Sequence, residues 1–391
     1  MDDQTVVAIQ GVNFVNKGAE LMLYAIIQSL KGKADILATD VKCGDFKARA
    51  DLGLYHLPWL FTRKFPAKVS SAWKDTASTL VSVMPKNVRY ATHILSSRDI
   101  GMVLDASGFA YSDDLGRLGE RTTQFTADNV RKWKNQGTKI VFLPQAFGPF
   151  RSSQTREYAS QIVRHSDLVF ARDSVSLAHL RELAPESLNI RTAPDFTCLV
   201  PGVRPDRYYD IIGRPCVVPN RRMVDKTSPD IAAQYPSFLL KCLRLMIEKK
   251  LDPFLLIHEQ HDVDLARGLQ DQLPKSVQII HEPDPVRIKG VLGQCSFVVS
   301  SRYHGLVSAL SQGIPCLATG WSHKYQALLQ DYGCPDSLLS VTASEEEIRS
   351  CIDLIGGEPG RSSLLAQLQS ASREQHRLAT DMWDAVYGIF S

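Results

Sequence analysis

The chain has 391 residues, 44% hydrophobic and 22% charged, which is enough for two globular domains and ordinary for a soluble protein. A formal charge of +3 is too small to argue for nucleic acid, and no apolar run approaches the roughly 20 residues of a spanning helix. Eight scattered cysteines without a CxxC pair argue for reduced thiols in a cytoplasm, against a disulfide or zinc framework.

The acidic start MDDQTVVAIQG passes directly into a strand, Val6–Gln10, and no signal peptide is expected. Helix Ala19–Leu30 and strand Asp35–Thr39 follow. Met102–Asp105, Lys139–Pro144 and Leu168–Ala171 read as further strands, with helices at Thr122–Asn135, Arg156–His165 and Ser174–Ala184. From Asp195 to Pro215 the periodicity lapses and Pro201, Pro205 and Pro215 appear, so the domain boundary belongs there. A second alternation begins at Cys216–Val218. It continues with helix Pro236–Lys249, strand Phe254–His258, helix Val263–Gln272, strand Val277–Ile280 and helix Lys324–Tyr332. A last helix, Ser363 to Tyr387, is expected to cross back onto the first domain. Alternating strands and helices predict α/β architecture with parallel sheets. The expected domains are residues 1–200, 215–362 and a C-terminal helix, 363–391. No internal repeat or low-complexity tract is visible.

CSFVVSSRYHGLVSALSQGIPCLATG, Cys295 to Gly320, carries the densest chemistry. It reads as a buried strand, a polar elbow, a helix ended by Gly313, and a second buried strand. The elbow holds Ser300, Ser301, Arg302, Tyr303, His304 and Gly305 where a strand gives way to a helix N-terminus. Unpaired amides and the positive dipole end suit an anion there. HEQHD, His258 to Asp262, is not HExxH and straddles a strand end, so no metal site is expected. Phe61 to Arg98 holds seven Lys/Arg against one acid, a local excess of +6, interleaved with Phe61, Phe65 and Trp73 and preceded by Trp59. Such a segment suits an anionic membrane surface, or else a solvated face with its aromatics turned inward.

Several motifs occur in order: GVNFVNKGAELML (Gly11 to Leu23), VLDASGFAYSD (Val103 to Asp113), LPQAFGPF (Leu143 to Phe150), ARDSVS (Ala171 to Ser176), APDF (Ala193 to Phe196), VVPNRR (Val217 to Arg222) and SSRYHG. In this order and spacing, roughly residues 6 to 335, the chain resembles the polysaccharide pyruvyl transferase family. The resemblance implies a GT-B-like fold, two Rossmann-like domains facing across a cleft. It implies transfer of an enolpyruvyl-derived unit from phosphoenolpyruvate (PEP) to a sugar as a cyclic pyruvate ketal, without a nucleotide sugar; no cofactor is expected beside PEP, and the lack of a carboxylate–histidine cluster argues against a metal. The family's PEP-binding Arg–x–His pair falls on Arg302 and His304, and the arginine of its Arg-Asp motif on Arg172. Where many members carry a glycine triplet, this chain has Asp105-Ala106-Ser107-Gly108.

The residue types agree with an anionic donor. A phosphate beside a carboxylate calls for several arginines, whose planar forks bind both. Arg302, Arg172 and Arg221 or Arg222 stand at predicted strand ends, with Ser301, Tyr303 and Asn220 as further contacts. Arg172 has an alternative in pairing with Asp173. His304 suits proton delivery to the PEP methylene, and equally a cationic role on the phosphate. A base for the acceptor hydroxyl is expected from the first domain: Glu20, Asp105, Asp113 or Asp195. Asn16, Lys17 and His258 complete the acceptor-side candidates, and GVNFVNKG is not a dinucleotide fingerprint. The expected partners are PEP and a glycan acceptor, on a lipid-linked intermediate at the inner membrane face. The alternatives are a glycosyltransferase of the same fold using a nucleotide sugar, and a non-catalytic sugar-binding protein.

Overall fold

The computed structural model describes residues 4–58, 80–357 and 360–390. The chain divides into two compact units. The first comprises Met1–Phe14, Met22–Pro194 and Asp381–Ser391, and the second Val15–Leu21 and Asp195–Thr380. The crossing at Pro194 stands at the head of the proline-rich stretch.

Among the described residues the first unit holds strands β1 (Val6–Gln10), β2 (Ile36–Asp40), β3 (Tyr55–Leu57), β4 (Met102–Asp105), β5 (Phe109–Tyr111), β6 (Lys139–Phe147), β7 (Leu168–Ala171) and β8 (Ile190–Thr192). They pair in parallel in the order β3-β2-β1-β4-β6-β7-β8, with β5 added against β6. Val6, Ala8 and Val103 point into one core and Val7, Ile9 and Leu104 into the opposite face, all buried. Two apolar faces mean helices on both sides, and the longer ones are α1 (Lys17–Leu30), whose start belongs to the second unit, α2 (Arg117–Asn135), α3 (Ser153–His165) and α4 (Ser174–Leu183).

The second unit repeats the scheme with β9 (Cys216–Val218), β10 (Phe254–Ile257), β11 (Gln278–His281), β12 (Val298–Ser300) and β13 (Cys316–Ala318), parallel in the order β11-β10-β9-β12-β13. Its strands alternate between two buried clusters: Cys216, Val218 and Val298 face one, Val217, Val299 and Leu317 the other. Around it lie α5 (Pro229–Glu248), α6 (Val263–Gln270), α7 (Pro285–Leu292), α8 (Tyr303–Leu310), α9 (His323–Asp331) and α10 (Glu345–Gly356). The final helix, α11 (Gly360–Tyr387), starts in this unit and ends in the first, where the Tyr387 hydroxyl donates to the Ser29 carbonyl at 2.8 Å. The return crossing expected from the sequence is therefore present. Of the basic segment, Trp59, Phe61, Arg63, Lys64, Phe65, Lys68, Trp73, Lys74 and Asp75 lie outside the described residues. Arg89 is described, and it is buried against Asp99 at 2.5 Å, so it is not a surface cation.

Candidate active site

In the second unit the chain steps from β9 outward to β10 and β11, then returns to the other side of β9 as β12. Between β9 and β12 lies the topological switch point, where open parallel sheets bind ligands beyond the carboxyl ends of the strands. Asn220, just past β9, spans this junction. Its Nδ2 donates to the Ser301 carbonyl at 2.6 Å, and its Oδ1 accepts the Arg222 amide at 3.0 Å. The Tyr325 hydroxyl donates to the same carbonyl at 3.0 Å. The Tyr235 hydroxyl lies 2.5 Å from the Ser301 hydroxyl and accepts the Asn220 amide at 2.9 Å. Burial pushes the Tyr235 phenol up, so it stays neutral. Ser301 and Asn220, read from sequence as PEP contacts, are buried and brace the elbow.

Arg302 is the N-cap of α8, and its side chain is buried among carboxylates. Nε donates to Asp262 at 3.0 Å, Nη2 to the other Asp262 oxygen, and Nη1 to Glu259 at 2.5 Å. Three of five N–H groups are thereby taken; one remains on each terminal nitrogen. Arg222 approaches Glu259 at 3.4 Å, and the Arg221 amide donates to Asp262 at 2.8 Å. Burial raises the Asp262 carboxyl, with Arg302 offsetting part of the rise. The Arg302 charge is therefore shared with two carboxylates of the protein, which hold the guanidinium in place. The Arg221 guanidinium turns to Asp225 at 3.0 Å, away from that network. The two carboxylates that fix Arg302 come from HEQHD, which the sequence reading set aside because it lacked a metal pattern.

His304 opens α8. Its Nε2 stands 3.4 Å from Asp195 Oδ2, close enough for an ion pair without the alignment of a hydrogen bond. Gly18 packs on the ring: a Cβ there would fall 2.1 Å from Nδ1. Lys17 and Glu20, one helical turn apart, pair at 2.5 Å, and burial raises the Glu20 carboxyl while Lys17 offsets part of it. His258 follows β10, buried, with its Cδ2 3.8 Å from a Cβ built on Gly305. Burial, then the charges of Arg302, His304 and Lys17, hold its imidazole well below the ordinary range, so it is neutral at pH 7. The Tyr303 ring stands edge-on to His304 at 5.5 Å, and the Lys324 ammonium lies 5.5 Å from Tyr303 and 5.4 Å from both Trp321 and Tyr325. Lys17 and Lys324 thus supply positive charge around the elbow.

Asn16, Lys17, Glu20, Asp195 and His258, expected on the acceptor side, therefore belong to the same unit as Arg302 and His304. Local sequence could not show this, because the element covering His304 is the start of α1, far away in the chain.

In the first unit, β1 and β4 flank the corresponding switch point. Asp105 ends β4 fully buried. Its oxygens accept Gln10 Nε2, the Tyr111 hydroxyl at 2.6 Å, Gln145 Nε2 at 3.0 Å and the Ser107 amide at 3.0 Å. Burial pushes its carboxyl up despite those donors. With every lone pair engaged and no exposure, Asp105 organises the strand ends and is not placed as a base. Asp113 accepts the Ser152 amide at 3.0 Å and the Arg151 amide; burial pushes it up, but these donors leave it below the usual range, a poor base. Arg172 follows β7, buried, its amide donating to the Gln145 carbonyl at 3.0 Å, in a different unit from Arg302.

Two doubly wound parallel α/β units, linked by helices that pass between them, define a protein of the GT-B fold type. Solved structures of that build resemble it over nearly its whole length. A putative UDP-N-acetylglucosamine 2-epimerase from Listeria monocytogenes aligns with a TM-score of 0.58 at 11% identity, covering 97% of this chain and 94% of the other. MnaA of S. aureus, solved with UDP, gives 0.57 at 13% identity over 97% and 95%. Anabaena HepE, solved with UDP and glucose, gives 0.56 at 11% over 98% and 99%. Identities this low establish the fold alone. The chain belongs to the polysaccharide pyruvyl transferase family, whose model matches residues 16–323, a span that includes both Lys17–Glu20 and the Arg302–His304 elbow.

Proposed function

We propose that the protein transfers an enolpyruvyl-derived unit from PEP to a sugar of a surface glycan, closing a pyruvate ketal over two hydroxyls and releasing phosphate. The observation that carries this reading is the His304–Asp195 pair at the N-terminus of α8, on a sheet switch point, in a chain of this family. The donor oxyanions meet the first amides of α8, the two remaining Arg302 N–H groups, and the Lys17 and Lys324 ammonium groups. Arg302 acts as a pre-oriented fork, since Asp262 and Glu259 fix its plane.

His304, held by Asp195, delivers a proton to the PEP methylene carbon, making it a methyl group. A sugar hydroxyl then bonds to the neighbouring carbon and gives up its proton. The second hydroxyl bonds to the same carbon as the C–O bond to phosphate breaks, and its proton leaves on the departing phosphate, while the first hydroxyl's proton makes good the one His304 gave up. Glu20, buried in the same unit with a raised carboxyl, is the base for the hydroxyl proton. Neutral His258 lines the floor beside Gly305 without adding charge.

Calorimetric titration tests the donor. PEP should bind at micromolar to millimolar strength and UDP far more weakly; preference for UDP would favour a nucleotide-sugar glycosyltransferase. PEP binding without phosphate release on any glycan would favour a sugar-binding protein.

No helix among the described residues is long and apolar enough to cross a membrane. The basic, aromatic sequence from Trp59 to Arg98 is the feature that favours a lipid-linked acceptor at an anionic surface. Co-sedimentation with anionic vesicles at low salt, lost at high salt, is expected. Equal indifference to anionic and neutral vesicles would remove this part of the reading.

A further inference from the structure

Lys289 is the only lysine buried among the described residues, at 1% exposure, and the scheme above leaves it unused. It extends from α7 to the short 3-10 turn Phe196–Leu199 that follows Asp195. Its Nζ donates to the Thr197 carbonyl at 2.7 Å and the Cys198 carbonyl at 3.2 Å. From the other side, Asp195 Oδ1 accepts the Thr197 amide at 3.1 Å and the Thr197 hydroxyl at 2.5 Å. That leaves Oδ2 as the oxygen facing His304. One residue, Thr197, is thus gripped at its carbonyl by Lys289 and at its amide and hydroxyl by Asp195.

The surrounding packing leaves little slack. A Cβ on Gly290 would lie 2.2 Å from the Val203 carbonyl, and the Val203 amide donates to the Val286 carbonyl at 3.1 Å. Gln312, just past α8, donates to the Lys289 carbonyl at 2.8 Å and the Ser308 carbonyl at 2.6 Å. Helix α7 is therefore tied both to the turn carrying Asp195 and to the helix carrying His304. Burying an ammonium costs several kcal/mol, and here two carbonyls offset part of that cost. A methionine would fill the same space without that cost, but could not hold the turn.

We infer that Lys289 is a positioning residue for His304: its ammonium clamps the Thr197 turn and so keeps the Asp195 carboxylate on the imidazole. This rests on the reading that His304 takes part in the transfer. Burial lowers the Lys289 ammonium to about 8, with Cys198 and Asp195 offsetting part of the fall. The titratable groups facing it are Asp195 and Cys198 on the turn and His376 on α11. Burial pushes the Cys198 thiol up to about 12, and burial followed by the Lys289 charge pulls His376 down, so neither of these changes charge near pH 8. Above that pH the clamp loses its charge, the Asp195–His304 contact loosens, and turnover falls.

The test is NMR of the intact protein with the Asp195 carboxyl carbon labelled and assigned through Asp195→Asn, followed from pH 6 to 10. Wild type should show an inflection near pH 8 that vanishes in Lys289→Met and in Lys289→Arg, whose guanidinium does not titrate. In parallel, kcat should fall at least about tenfold in Lys289→Met with KM for PEP within about threefold, as loss of transition-state positioning predicts. No inflection near pH 8 in wild type, which needs no variant to fold, would overturn the clamp. The same inflection surviving in either folded variant would also overturn it. An inflection that behaves as expected in a protein without pyruvyl transfer would leave the clamp standing and sink the functional reading instead.

Discussion

Replacing Arg302 by Met would strand two buried carboxylates. Asp262 has no exposure and Glu259 is 3% exposed, and each now receives charge-assisted hydrogen bonds from the guanidinium. Removing one partner of such a buried group costs about 3–5 kcal/mol. At about 2–4 °C per kcal/mol for a unit of this size, the calorimetric transition should fall by roughly 6–20 °C at pH 7. The pH dependence has a definite sign. Asp262 is already raised in the folded state by burial, and losing Arg302 raises it further. Between the unfolded value near 3.9 and the folded one, the native state then binds a proton that the unfolded chain does not. Stability should therefore recover as pH falls through the folded value, and the second substitution Asp262→Asn should recover part of it at pH 7. A folded Arg302→Met variant within about 1 kcal/mol of wild type, with no recovery in acid, would refute the ion cluster. The same geometry makes a loss of PEP affinity in Arg302→Ala ambiguous. Arg302→Lys, which keeps the charge and loses the fork, isolates the contact.

His304→Asn should leave the melting transition in place and lower turnover by about two orders of magnitude or more; turnover within a few-fold of wild type would make His304 structural. Gly18→Ala puts a methyl 2.1 Å from His304 Nδ1, so the ring or α1 must shift; turnover should drop while urea unfolding of the first unit is unchanged, and an unaffected rate would contradict the packing. Asp105→Asn turns one carboxylate oxygen, which accepts from two donors, into a donor facing both, which should cost about 1–3 kcal/mol by denaturant unfolding, with a smaller effect on PEP affinity. Turnover should survive EDTA, because Glu259 and Asp262 are committed to Arg302; loss restored by one particular metal ion would contradict this.

Much of the fold is legible in sequence because parallel strands are short runs of apolar residues. Val6–Gln10, Met102–Asp105, Leu168–Ala171 and Cys216–Val218 have the boundaries the sequence suggests. Helix starts are less legible: α2 begins at Arg117 where periodicity suggests Thr122, and α5 at Pro229 where it suggests Pro236. First turns are polar and solvent-facing, so they carry no apolar period. Pro236 misleads because proline commonly opens a helix, yet here it stands inside one. In the site, the strand-to-helix elbow announces Arg302 and His304 locally. Their partners are not local. Asp262 meets Arg302 across β10 and β12, and Gly18 meets His304 through a helix at the other end of the sequence. Lys289 carried no sequence signal, since a lysine on an amphipathic helix normally faces water, and only its burial marks it.

The central claim is the reaction class, and mass spectrometry of a glycan pool incubated with the protein and PEP tests it most directly. The account predicts a gain of about 70 Da per acceptor, matched by stoichiometric phosphate release and abolished in His304→Asn. No gain and no phosphate with PEP, alongside hexose addition from a nucleotide sugar, would contradict it.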